Sequence, residues 1–255
     1  MPRSVGKWRS KSTRDSSYLS LRPTDQLQMK YSEIFYSIQG EGQLVGLPSV
    51  FFRTSYCNLR CIWCDTPYTS WQPENKDISV EEAVSAILAY NCQQVVITGG
   101  EPFLQPQALL SLCQQLQQNG LHITIETNGT LFESVEADLL SISPKLANSN
   151  PAANNHHFDQ HQEQRINPAV LRQFLDHYTC QLKFVVETES DLVEIQQLEK
   201  ELQIPASIIV LMPQGITSDQ IQDKQNWIVE ICKQYGYRYS PRLHVDIWGD
   251  QRGIW

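Results

Sequence analysis

The chain has 255 residues and a formal net charge of −8, from 28 Asp and Glu against 20 Lys and Arg. Hydrophobic residues make up 41% of it, enough for a packed core in one large α/β domain or two small ones, so disorder is not the default. The acidic balance argues against a nucleic-acid or anionic-membrane surface, no apolar run is long enough to span a bilayer, and no N-terminal apolar segment reads as a signal peptide, so a reducing cytoplasm is the expected compartment.

Residues 1–28 are rich in Ser, Arg, Lys and Thr, lack apolar periodicity and read as a mobile tail ahead of one domain over residues 29–255. Tyr31 to Ile38 is an aromatic and β-branched run, expected as a strand. It ends in Gln39, Gly40, Glu41 and Gly42, a tight turn from which polar groups project. Ser49 to Thr54 reads as a buried strand. Arg53 is out of place in it, because a buried Arg usually has an anion or carboxylate partner.

Cys57, Cys61 and Cys64 follow directly, spaced C-x3-C-x2-C. They fall in the loop leaving the strand's C-terminal end, where α/β barrels keep their chemistry. Thiolates this close in sequence converge on one point, as a metal or cluster site requires. A closed zinc site wants four ligands, and ferredoxin-type clusters also take four cysteines. Three thiolates would leave one iron of a [4Fe–4S] cluster without a protein ligand and open to a substrate. The competing reading is a zinc site completed by a distant His or Cys, which would make the chain a zinc-binding interaction module. Cys92, Cys113, Cys180 and Cys232 read as small buried hydrophobes.

Ile78 to Tyr90 shows helical spacing, with Ser79 as its N-cap and Glu81 and Glu82 in the first turn. Gln94 to Thr98 is a short buried strand that runs into Gly99, Gly100, Glu101 and Pro102, where paired glycines permit close backbone approach to a ligand. A helix from Pro106 to Asn119, a strand from His122 and a strand over Leu139 to Ser143 come next. Asn148 to Asn167 reads as a long polar surface loop, with His156, His157 and His161 as solvated side chains in preference to metal ligands. Then come a helix from Pro168 to Tyr178, a strand from Gln181 to Val186, a helix from about Ser190 to Leu202, a strand from Ser207 to Met212 and a helix from Ser218 to Tyr235. Alternating strands and helices imply a parallel sheet, curved or closed. With about six strands after the first turn, the expected fold is α/β, a partial (β/α)6 TIM-like barrel.

Several of these stretches together resemble the 7-carboxy-7-deazaguanine synthase family of the radical S-adenosylmethionine superfamily: Ile34 to Gly42, Phe52 and Arg53, Cys57 to Thr66, Ile97 to Pro102, Glu126 to Gly129, Ser143 to Lys145, and the tail from His244 to Gly253. The resemblance runs from about Met29 to the end of the chain. It implies that Cys57, Cys61 and Cys64 hold a [4Fe–4S] cluster whose open iron takes S-adenosylmethionine. That cofactor would also touch Trp63, Cys64, Asp65, Gly100, Ser143, Pro144, Lys145, Met212, Pro213, Gln214 and Gly215. The pterin substrate would lie on Ile38, Gln39, Gly40, Arg53 and Thr98, with Mg²⁺ on Thr66. A substrate carboxylate would suit Arg53 bidentately, and a hydroxyl is a reasonable hard ligand for Mg²⁺. The bland alternatives are an ST-turn for Thr66 and a surface charge for Lys145.

The implied reaction is that of a lyase in queuosine and 7-deazapurine biosynthesis. One electron, from a donor such as flavodoxin or ferredoxin, cleaves S-adenosylmethionine, and the resulting radical takes a hydrogen from 6-carboxy-5,6,7,8-tetrahydropterin. The ring contracts and ammonia leaves. A homodimer is also implied. Within enzymes the rival is a glycyl-radical activating enzyme. The chain departs from short family members that end in a substrate-contacting proline, since its tail is longer and ends in Ile254 and Trp255.

Overall fold

A computed structural model describes residues 27–254. Most of the expected tail lies outside them. Its last two positions do not belong to a tail at all: the Leu27 carbonyl accepts the Val80 amide and Gln28 opens the first strand.

That strand, β1 (Gln28–Ile38), pairs antiparallel with β2 (Pro48–Thr54) on one side and β3 (Lys76–Ser79) on the other. From β2 onward the pairing is parallel, through β4 (Gln94–Gly99), β5 (His122–Thr127), β6 (Leu139–Ile142), β7 (Cys180–Val186), β8 (Ile209–Pro213) and the two-residue β9 (Arg238–Tyr239). The nine strands form one open sheet in the order β3-β1-β2-β4-β5-β6-β7-β8-β9. The six longer parallel strands, β2 and β4 to β8, are those of the expected partial barrel.

Six of the seven α-helices among the described residues are α1 (Val80–Leu88), α2 (Pro106–Gln118), α4 (Pro168–His177), α5 (Asp191–Leu202), α6 (Ser218–Tyr235) and α7 (Leu243–Trp248). The remaining one, α3 (Phe158–Gln164), lies inside the stretch expected to be a surface loop. Helix α1 begins right after Ser79, the expected N-cap, which closes a capping box: its hydroxyl accepts the Glu82 amide at 3.2 Å while Glu82 accepts the Ser79 amide at 2.9 Å. Ile78, expected in the helix, pairs with Met29 across β3 and β1 instead.

The parallel strands alternate two sets of side chains. Phe52, Ile97, Ile125, Ile142, Leu182, Phe184 and Leu211 belong to the main core, with Leu109, Leu112, Phe174, Ile195 and Ile228 of the helices. The other parity, Phe51, Arg53, Thr98, Glu126, Ser141, Lys183, Val185 and Met212, lines an internal cavity. Burying the first set against helices stabilises the sheet; the second set is free to carry polar groups.

Candidate active site

The cavity opens at the C-terminal ends of the parallel strands, and the cysteine loop forms one of its walls. All three loop cysteines are free thiols that line it. The loop is held by bonds to its backbone: the Arg60 amide donates to His161 Nδ1 at 2.9 Å, the Ile62 amide to the Ser149 carbonyl at 2.9 Å, and the Trp71 indole to the Cys61 carbonyl at 2.9 Å. The Trp63 indole donates to the Asn148 carbonyl at 3.0 Å. These contacts explain why α3 exists. His161 is buried, not solvated, and its Nε2 meets Ser149 Oγ at 2.9 Å. Burial, with Arg165 and Lys145 nearby, pushes this imidazole down to about 4, so it is neutral and able to accept from Arg60.

Burial pushes the Cys57 and Cys61 thiols up to about 12. They become thiolates only against a strongly cationic partner, as coordinating thiols do. Among the described residues no three His, Cys, Asp or Glu side chains are gathered as ligands of one ion. In a [4Fe–4S] cluster each thiolate would take its own iron.

Gly99 and Gly100 make a close approach, but to protein. A Cβ would stand 2.2 Å from the Thr54 carbonyl at Gly99 and 2.0 Å from the Tyr56 carbonyl at Gly100. The glycines thus let the end of β4 lie against the start of the cysteine loop, and Gly100 still lines the cavity. Glu101 behind them is fully buried and accepts from Thr127 Oγ1 and from the amides of Asn128 and Phe103. Burial outweighs those bonds and raises its carboxyl to about 7.

Of the expected cofactor residues, Trp63, Cys64, Asp65, Gly100, Ser143, Lys145 and Met212 line the cavity, whereas Pro144, Pro213, Gln214 and Gly215 do not. Lys145 donates to Ser143 Oγ at 2.7 Å and lies 5.6 Å over the Trp63 ring, so it is a cavity-wall cation and not a surface charge. Thr66 is buried in the wall, and its carbonyl accepts from the Thr69 amide and hydroxyl.

The expected substrate residues Ile38, Gln39, Gly40, Arg53 and Thr98 all line the cavity. Arg53 has a carboxylate partner inside the protein: its Nε donates to Glu33 at 2.7 Å, and the Tyr68 hydroxyl donates to the same oxygen at 2.8 Å. At Gly40 too only a hydrogen fits, because a Cβ would come within 1.9 Å of the His244 ring.

The sequence reading missed a buried charge network beside this turn. Glu126 accepts from Gln39 Nε2 at 3.2 Å and from Thr98 Oγ1 at 2.8 Å, and lies 3.6 Å from Lys183 Nζ. Lys183 also pairs with Glu41, which accepts from Arg242 at 3.0 Å; Arg242 in turn reaches Asp65 at 2.5 Å. Burial alone would raise the Glu41 carboxyl, but Lys183, Arg242 and His244 outweigh it and hold Glu41 well below the ordinary carboxylate range. Burial works against the Lys183 ammonium too, and Glu126 and Glu41 keep it charged. A signal was present: Glu126 and Lys183 are charges in apolar strands, as Arg53 is.

The chain matches the model of the Radical SAM superfamily over residues 51–167. It is 42% identical over 232 residues to a 7-carboxy-7-deazaguanine synthase of Halobacterium salinarum, covering 86% of this chain and 90% of the relative. A 7-carboxy-7-deazaguanine synthase of Rhodopirellula baltica is 41% identical over 225 residues, covering 87% of each. The crystal structure of QueE from Escherichia coli superposes with a TM-score of 0.62 at 26% identity, covering 85% of this chain and 95% of that one. With its three free thiols framing the cavity at the strand ends, the chain belongs to the 7-carboxy-7-deazaguanine synthase family of radical SAM enzymes.

Proposed function

We propose that this chain is a radical SAM lyase that converts 6-carboxy-5,6,7,8-tetrahydropterin to 7-carboxy-7-deazaguanine with loss of ammonia, on the route to queuosine and related 7-deazapurines. The observation that carries this reading is the family match across 86% of the chain, joined to a cavity with the thiols on one side and a polar inner sheet on the other. Bound together, the cluster and S-adenosylmethionine supply one-electron cleavage and hydrogen-atom abstraction.

The protein's own residues bind, orient and exclude water. Cys57, Cys61 and Cys64 would hold the cluster. Trp63, Asp65, Gly100, Ser143 to Lys145 and Met212 to Gly215 would hold the cofactor. Gln39, Gly40, Ile38 and Thr98 would hold the pterin, with the charge of Arg53 attracting its carboxylate. Thr66 would take Mg²⁺. Residues 29–255 would act as one domain, reduced by a flavodoxin or ferredoxin and paired as a homodimer. The free cysteines suit a reducing cytoplasm. The radical SAM family match and the named relatives disfavour both the zinc module and a glycyl-radical activating enzyme.

The test is anaerobic turnover of the reconstituted protein with S-adenosylmethionine, reductant, Mg²⁺ and the pterin. The expected result is 7-carboxy-7-deazaguanine by mass, abolished in Cys61→Ala and reduced in Thr66→Val at low Mg²⁺. Formation of 5′-deoxyadenosine without a deazapurine would keep the superfamily chemistry and overturn the substrate.

A further inference from the structure

Arg242 joins segments that the foregoing reading, on which this inference rests, gives to different ligands. It is 5% exposed and immediately precedes α7. One of its terminal nitrogens donates to Asp65 Oδ2, next to the cluster ligand Cys64; the other donates to the Gly215 carbonyl, in the turn after β8. Its Nε donates to Glu41 at 3.0 Å, next to the substrate turn Gln39 and Gly40. Asp65 and Gly215 are on the cofactor side and Glu41 is on the pterin side.

The contacts continue beyond Arg242. Glu41 ties to Lys183, Lys183 faces Glu126, and Glu126 receives both Gln39 and Thr98. The path from the cofactor wall to the pterin wall is therefore charged and continuous, and its two cations, Lys183 and Arg242, are buried. A guanidinium is suited to its hub: it is planar, always protonated and has donors in fixed directions, so ordering one partner fixes its plane for the others. Lys has the charge but not the fork.

We propose that Arg242 is a positioning residue that couples the two sites. Binding of either ligand orders the guanidinium, and the second ligand then meets a wall already set. Such coupling is reciprocal in affinity, with magnitudes of roughly 5–150-fold in coupled systems. A residue that merely holds the fold would weaken both ligands without changing how each affects the other.

The experiment is anaerobic equilibrium dialysis of labelled S-adenosylmethionine on reconstituted, oxidised protein, which cannot turn over, with and without saturating 6-carboxy-5,6,7,8-tetrahydropterin. In the unaltered protein the pterin should tighten S-adenosylmethionine about tenfold, within the range typical of coupled sites. In Arg242→Gln the ratio should fall to about one, even if both affinities drop, and in Arg242→Lys to an intermediate value. Under turnover Arg242→Gln should release more 5′-deoxyadenosine per deazapurine formed. If Arg242→Gln fails to hold its cluster, Asp65→Asn, which weakens only the cofactor arm of the fork, should lower the same ratio. A ratio of one in the unaltered protein, or an unchanged ratio in the variants, overturns the inference. Turnover of the unaltered protein separates the two readings. If 7-carboxy-7-deazaguanine forms and the coupling is absent, the inference alone fails; if no pterin binds or reacts, the proposed function fails first.

Discussion

The two walls of the cavity are held by opposite means. Around Cys57 to Cys64 the frame is mostly neutral, made of backbone amides, two indoles, a neutral imidazole and a hydroxyl, with the Arg60 guanidinium on the Cys57 and Leu59 carbonyls as its charged member. Around Gln39 to Glu41 it is charged, with buried Lys183 and Arg242 joined to the partly buried Glu41, Glu126 and Asp65 in one run. A neutral frame fixes where a loop lies while adding little field, which suits a wall that must itself carry thiolates. A charged frame sets a field, but each ion has lost its water, so it is stable only while every member is paired. The first should tolerate loss of a member as a local loosening, and the second should fail as a unit.

Substitution of Lys183 tests the charged wall most severely. Lys183→Met leaves Glu126 without its cation and Glu41 with Arg242 alone, and breaking a buried pair costs about 3–5 kcal/mol. The urea midpoint of the anaerobic protein should fall accordingly, and a loss below about 1 kcal/mol would break the comparison. On the neutral wall, His161→Leu removes the acceptor of the Arg60 amide, at about 1–3 kcal/mol. That loss should appear as faster release of cluster iron to a chelator, partly restored in His161→Asn, which keeps an acceptor.

The pH dependence of stability probes both walls. Burial holds His244, like His161, down to about 4, for His244 with Arg242 and Lys183 acting against Glu41. Unfolded, each imidazole binds its proton near 6.5. Between those values the unfolded chain holds more protons, so stability is present above about 6.5 and is lost as pH falls toward 4. The loss is at most about 1.4 kcal/mol per pH unit for each histidine. Glu101, raised to about 7, binds its proton in the folded state across this range and opposes one histidine, so urea titrations from pH 7 to pH 4.5 should show a net slope of about one histidine, most of which His161→Asn should remove. The smallest effect is expected for a charge in water. Arg252 bonds both oxygens of Glu74 and lies 3.9 Å over the Tyr68 ring, yet its side chain is 42% exposed. Arg252→Ala should shift stability by no more than about 1 kcal/mol, and a larger shift in melting temperature would make the C-terminal tail part of the buried frame.

What was legible in the sequence follows the range of the forces involved. Helix α6 runs from Ser218 to Tyr235 as expected, because Thr217 caps it at one end and Gly236 turns left-handed at the other. The cysteine loop was legible because its ligands lie within eight positions of each other. Strand β3 was not, since Lys76 to Ser79 is short and polar at the sheet edge and exists only by pairing with β1. Helix α3 was hidden in a polar stretch, and its one buried side chain, His161, finds its partners at Arg60 and Ser149.

The sequence by itself determined the alternation of elements, the cysteine motif and the family, because these rest on neighbours a few residues apart. Only the tertiary structure decided which charges meet. Glu41, Asp65, Glu126, Lys183 and Arg242 come from five separate stretches, and no local rule pairs them. Sheet parity and the order of parallel strands bring them to one cavity, where burial removes their water and leaves each with the others as its partners.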